Sequence, residues 1–303
     1  MKELYPDYLK VGDTIGIVAP SRKISFEELE FSVVFFEKKG FKIKLGKNIF
    51  AAENQFAGSD SVRAADFQAM LDDDEVKAVL AARGGYGAVR IIDWVDFSRF
   101  RKNPKWLCGY SDFTVFHSQS ACYNIPTIHS TMPVNISDTA VEVANAESLL
   151  DALTGKPLCY ETKPNSLNRC GSAKAKVVGG NLSILYSLMG SQSEISTEGK
   201  ILFIEDLDEY LYHIDRMMMN LKRAGKLANL AGLIVGDLSD MHDNTVPFGK
   251  TAEEIVADYC AEYGFPICFN FPAGHAAVKK SLRLGMEIEM RPTANGGFVV
   301  FQE

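Results

Sequence analysis

Short apolar runs alternate with amphipathic stretches along most of this chain. Residues 14–20 form a compact apolar run closed by Pro20-Ser21, which predicts a buried strand. Ser25 and Glu28 then have capping-box spacing, and residues 26–39 carry apolar positions at helical period before Gly40. Residues 41–45 predict a second strand. Residues 61–71 predict a helix with Val62, Ala65, Phe67, Met70 and Leu71 as its apolar stripe. Residues 76–82 read as a third strand, 88–95 as helix, and 106–110 as a fourth strand. After Ile125-Pro126-Thr127-Ile128-His129, residues 141–153 read as helix. Strand–helix alternation implies a parallel sheet covered on both faces, with ligands beyond the carboxyl ends of its strands. Three loops share that edge: Pro20-Ser21-Arg22, Arg83 to Gly87, and Tyr110-Ser111-Asp112.

From Gly155 to Gly171 the periodicity fades among prolines and asparagines, so 156–172 is expected to link a domain of residues 1–155 to one of 173–303. The second half predicts strands at 173–178, 200–204, 230–235 and 266–270. It predicts helices at 182–189, 212–224 and 251–263, the last with a Thr251–Glu254 box. Residues 281–290 and 298–301 alternate as a partly exposed antiparallel edge does. The expected class is α/β, in two domains.

Composition narrows the function. At 303 residues with a net charge of -7, the chain has no basic surplus with which to neutralise phosphates, which argues against nucleic acid as partner. Six cysteines form no CxxC pair, and several sit inside apolar runs; they read as core residues of a reducing compartment. The first seven residues lack a signal-peptide core, and no apolar run approaches membrane-spanning length, so the expected location is the cytoplasm, away from membranes.

Ser111 sits where an apolar strand meets a helix pattern. A serine on such a corner is exposed, with helix N–H groups nearby for a developing oxyanion. Phe113 stands where the usual elbow signature has its second glycine, and the commoner use of such a serine is as an ordinary helix N-cap. A nucleophilic serine needs a base and an orienter. Of five histidines, His117 is carried away from the corner by its helix, His213 and His242 lie in charged or polar surroundings, and His129 follows a short strand. His275 leaves a strand end through Pro272-Ala273-Gly274 and is the best base, with His129 second. Glu205, first charged residue after the apolar run 201–204, suits the orienter. Asp206, Asp208 and Glu209 crowd the same loop without a histidine at ligand spacing, a poor metal site. Arg83-Gly84-Gly85-Tyr86-Gly87 lacks phosphate-loop spacing and is better used to bring backbone amides close to a substrate.

Six stretches together resemble the LD-carboxypeptidases, serine peptidase family S66, which includes muramoyltetrapeptide carboxypeptidases and microcin C self-immunity peptidases. They are Gly12 to Ser21, Ala82 to Gly87, Gly109-Tyr110-Ser111-Asp112-Phe113-Thr114, Gly179-Gly180-Asn181-Leu182, Leu202 to Asp206, and Pro272-Ala273-Gly274-His275, in family order along the whole chain. The resemblance implies Ser111 as nucleophile, His275 as general base and Glu205 as its orienter. It implies an oxyanion hole of backbone amides from Gly85 (or Gly84) and Asp112. Arg83, Gly84 and Tyr86 of the same loop are the candidate substrate contacts. It further implies a flavodoxin-like N-terminal domain, a smaller α/β C-terminal domain, an active site between them, a homodimer, and release of terminal D-alanine from muropeptide tetrapeptides without metal or cofactor. The family often has His-Gly-Pro where this chain has His129-Ser130-Thr131-Met132-Pro133, which bears on the pocket wall. The longer microcin-type branch carries a loop for a nucleotide-linked peptide, with no obvious counterpart here. A binding protein on the same scaffold, without turnover, is the alternative from another class.

Overall fold

The computed structural model describes residues 4–301; residues 1–3 of the polar N-terminal stretch lie outside them. The chain divides into two compact units. One runs to Lys156 and includes Lys280–Arg283; the other comprises Pro157–Lys279 and the chain from Leu284 on.

The first unit alternates β1 (Thr14–Val18), α1 (Phe26–Lys38), β2 (Lys42–Leu45), α2 (Asp60–Asp72), β3 (Val76–Ala81), α3 (Ala88–Ile91), β4 (Trp106–Gly109), α4 (Thr114–Cys122), β5 (Thr127–His129) and α5 (Ala140–Leu153). All four pairings among these strands are parallel, in the order β5-β4-β3-β1-β2. This is the flavodoxin-like order, and its reversal between β1 and β3 opens a crevice at their carboxyl ends. Ile15, Ile17, Val79, Leu80, Leu107 and Ile128 are buried in the sheet. The expected capping box starts α1: the Glu28 amide donates to Ser25 Oγ and the Ser25 amide to Glu28 Oε2. The stripe expected on α2 is rotated. Ala65 is exposed and Val62 half-buried, while Arg63, Ala64 and Asp66 turn inward with Phe67, Met70 and Leu71. Polar groups take inward positions there because Arg63 and Asp66 hold loop backbone, as described below for Arg63; Asp66 accepts from the Asn48 amide at 2.7 Å.

The second unit holds β6 (Cys159–Thr162), β7 (Ala173–Asn181), α6 (Leu182–Ser187), β8 (Ile201–Leu207), α7 (Leu211–Arg223), β9 (Gly232–Ser239), α8 (Ala252–Tyr259), β10 (Ile267–Cys268), β12 (Glu287–Thr293) and β13 (Gly296–Phe301); β11 (Leu282–Leu284), between β10 and β12 in the chain, starts within the Lys280–Arg283 segment of the first unit. Its sheet runs β10-β9-β8-β7-β12-β13-β6, parallel from β10 to β7 and antiparallel from β7 to β6. Two expectations change. The stretch 156–172, expected as a linker, supplies β6, paired antiparallel with β13. And β11, expected within the antiparallel edge, joins the first sheet beside β5. Arg283 fixes it there, donating to the carbonyls of Asp151, Ala152 and Lys156 at 2.9–3.1 Å.

Candidate active site

Ser111 leaves β4 on a strained corner. Tyr110 is extended, Ser111 has φ 60°, and a 3-10 turn over Ser111–Phe113 leads into α4. The serine is therefore not a helix N-cap: Tyr110 holds that position, and no side chain caps the turn. A non-glycine residue in this region costs about 1–2 kcal/mol, which the surroundings must offset. His117 is one brace. Its ring returns to the corner, contrary to expectation, donating from Nε2 to the Gly109 carbonyl at 3.0 Å while Nδ1 accepts from the Thr127 hydroxyl at 2.8 Å. Burial, then the neighbouring His129, pushes its pKa down to about 3, so it stays neutral.

Asp112 is the second brace. Its buried carboxylate accepts from Ser21 Oγ at 2.5 Å and from the Ala88 amide at 2.8 Å. It thereby ties together the loops that follow β1, β3 and β4. Burial raises its pKa, opposed by those two hydrogen bonds and the Arg63 charge. Arg63, also buried, donates to the carbonyls of Pro20 and Gly87 at 2.5 and 2.9 Å and pairs with Asp60.

The glycine loop runs directly past the serine. A Cβ on Gly84 would lie 3.2 Å from Ser111 Cβ and 3.4 Å from its Oγ. Gly85 adopts φ +111°, and a Cβ there would fall 2.0 Å from Arg22 Cδ, so only glycine fits. The amide of Asp112 precedes the first hydrogen bond of its turn, Phe113 N to Tyr110 O, and so heads a helical segment. Arg83 is engaged elsewhere, donating to Glu28 Oε1 at 2.9 Å. Tyr86 is exposed and packs on Phe56. His129, the second candidate base, is buried between the rings of Tyr110 and His117.

In the second unit Glu205 and His275 meet. Glu205 lies inside β8, which runs two residues past it, and is fully buried. His275 Nδ1 is 2.7 Å from Glu205 Oε2. Burial alone lowers the histidine pKa, but the Glu205 hydrogen bond and the charges of Glu205 and Asp206 outweigh it, and the net shift is upward. Gly274, at φ +133°, lets the loop close on the carboxylate: a Cβ there would sit 3.1 Å from Glu205 Oε2. Asp237 holds the other side, accepting from the Ala276 amide at 3.1 Å while its own amide donates to Ala273 O.

The neighbouring acids disperse. Asp206 turns to Asn181 and the Ser183 amide, Asp208 to His242, and Glu209 to His213. Burial and the Glu205 charge push Asp206 up to about 7, and burial takes Asp237 to about 6. Three contributors escape a reading of the sequence: the Asp112 side chain, the His117 ring and Asp237. Asp237 is within reach of one, since it ends the apolar run 233–236 as Glu205 ends 201–204.

Comparison with known proteins bears on the whole chain. A model of the LD-carboxypeptidase N-terminal domain matches residues 15–130, and one of the C-terminal domain matches 174–290. A probable murein peptide carboxypeptidase of Bacillus subtilis is 37% identical over 94% of this chain and 91% of its own. A murein tetrapeptide carboxypeptidase of Pseudomonas aeruginosa is 25% identical over 89% and 91%. Among solved structures, the muramoyltetrapeptide carboxypeptidase of Oxalobacter formigenes superposes with TM-score 0.86 at 22% identity, covering 96% of this chain and 99% of its own. The microcin C7 self-immunity protein MccF, in complex with aspartyl sulfamoyl adenosine, superposes with TM-score 0.88 at 21% identity, covering 99% of each chain. Both share the two-domain α/β fold.

Proposed function

The chain belongs to the LD-carboxypeptidase family, serine peptidase family S66, and we propose that it removes the terminal D-alanine of murein tetrapeptides with Ser111, His275 and Glu205 acting as one triad. It is a carboxypeptidase. Ser111 Oγ attacks the scissile carbonyl while His275 Nε2 takes the hydroxyl proton. The tetrahedral oxyanion rests on the backbone amides of Gly85 and Asp112, donors that cost no reorganisation at the moment of reaction. His275 then protonates the departing D-alanine amine. Water, deprotonated by the same imidazole, releases the acyl group and restores the serine. Glu205 fixes the imidazole so that Nε2 is the working nitrogen and steadies the imidazolium. The observation that carries this reading is the buried His275–Glu205 pair, 2.7 Å apart, which holds Nδ1 on the carboxylate and gives the imidazole one orientation.

Product analysis tests it. Incubation with L-D tetrapeptides, an L-L control and a peptidyl-nucleotide, read by mass spectrometry, is expected to yield D-alanine and tripeptide from the first alone. A serine-directed phosphonate is expected to label Ser111, which a protein that only binds small molecules leaves unmodified. No helix among the described residues is long and apolar enough to cross a membrane, and none of the six cysteines forms a disulfide. Reduced thiols support work in the reducing cytoplasm. A homodimer completes the reading, and sedimentation tests it.

A further inference from the structure

Four arginines gather around the loops at the carboxyl edge of the first sheet, and three of them are ion-paired. Arg83 pairs with Glu28 at 2.9 Å, Arg90 with Asp60 at 2.7 Å, and Arg63 with the same Asp60. Arg22 forms no ion pair among the described residues and is exposed. Yet its position is fixed. Its backbone bridges Phe56, the Lys23 amide donates to Gln55 O at 3.0 Å, and the Ala57 amide donates to Ser21 O at 3.2 Å. Its aliphatic stem crosses Gly85 so closely that a Cβ there would lie 2.0 Å from Cδ and 2.4 Å from Cγ. The neighbouring Gly84 faces Ser111. An uncompensated guanidinium is thus anchored one residue from the serine's nearest loop contact.

A carboxypeptidase must recognise a free α-carboxylate. In the substrate that carboxylate is separated from the scissile carbonyl carbon by one nitrogen and one α-carbon, roughly 4 Å in all. A carbonyl held against the glycine loop therefore presents its carboxylate within one residue's breadth of that loop, where the Arg22 stem passes. We propose that Arg22 binds the terminal α-carboxylate of the substrate and restricts the enzyme to the last peptide bond. The planar fork of arginine takes a carboxylate through two hydrogen bonds, which sets direction as well as affinity. An amidated or extended peptide leaves the guanidinium without its partner, and so is discriminated against. Arg83, the candidate from sequence, is already occupied by Glu28.

The assignment rests on the Ser111 reading, and binding separates the two. In a Ser111→Ala background, calorimetry compares a tetrapeptide ending in D-alanine with its C-terminal amide. The acid is expected to bind at least ~10-fold more tightly. Adding Arg22→Met, which keeps most of the stem over Gly85, is expected to bring the two affinities within ~2-fold, whereas adding Arg83→Met keeps the preference. Far-ultraviolet circular dichroism checks that each variant folds. No acid preference in the Ser111→Ala protein, or a preference that survives Arg22→Met, overturns the assignment. D-alanine release by the unsubstituted enzyme reports the catalytic reading separately.

Discussion

His275 Nδ1 and Glu205 Oε2 stand 2.7 Å apart, with the carboxylate fully buried and the ring largely so. This pair decides at which pH the imidazole is free to accept a proton. The histidine pKa is raised above 6.5 against the opposing effect of burial, so the neutral base is lost as pH falls through a value higher than an ordinary histidine's. We expect kcat/KM to fall on that acid limb. Glu205→Gln keeps an acceptor but removes the charge, leaving burial to dominate. The limb is then expected at lower pH, with kcat reduced. A pH–rate profile of both enzymes checks this, and an unmoved limb would place the titration on another group.

Ser111 at φ 60° separates activity from stability. Ser111→Ala and Ser111→Gly both remove the hydroxyl that the proposed mechanism uses, and each is expected to lower turnover by several orders of magnitude. They differ in backbone. Alanine keeps the left-handed strain of about 1–2 kcal/mol, while glycine relieves it at a cost of about 0.4–1 kcal/mol in unfolded-state entropy. Denaturant unfolding is expected to find the glycine variant the more stable of the two by up to about 1.6 kcal/mol.

Asp112 holds three loops through one buried carboxylate. Asp112→Ala leaves the Ser21 hydroxyl and the Ala88 amide without their acceptor. A loss of about 2–6 kcal/mol in stability is expected, since each of the two buried groups left unsatisfied costs about 1–3 kcal/mol. The glycine loop loosens beside Ser111, so kcat is expected to fall more than KM rises. Steady-state kinetics at a temperature where the variant is folded makes the comparison.

Buried neutral His117 makes the fold acid-sensitive. Its pKa is about 3 when folded, against 6.5 for an ordinary solvated histidine, so the unfolded chain binds the extra proton between those values. Stability is therefore lost as pH falls from 6.5 toward 3, at up to about 1.4 kcal/mol per pH unit from this group. His117→Gln cannot titrate. Its urea midpoint is expected to depend less steeply on pH in that window than the unsubstituted protein's, although it is lower at neutral pH.

Much of this is legible in the sequence because it is local. The Ser25–Glu28 and Thr251–Glu254 boxes announce α1 and α8 within four residues, and both form. The apolar run that stops before Ser111 marks the end of β4 for the same reason, whereas β8 runs two residues past Glu205. What stays hidden depends on distant partners. β6 is four residues whose alternate burial only makes sense beside β13, far along the chain. The Asp112 carboxylate finds Ser21 at a separation of 91 residues, so the sequence points only to its amide. Arg63 and Asp66 break the apolar stripe of α2 because their partners are loop carbonyls and amides, groups that no hydrophobic period can register.

The central claim is that Ser111 and His275 work as a unit, and a double-mutant comparison of D-alanine release tests it most directly. Ser111→Ala, His275→Ala and the double variant are each assayed for kcat on an L-D tetrapeptide. All three are expected at the same low residual rate, because removing either member disables the other. Rate losses that multiply in the double variant, or near-normal turnover by either single one, would contradict the account.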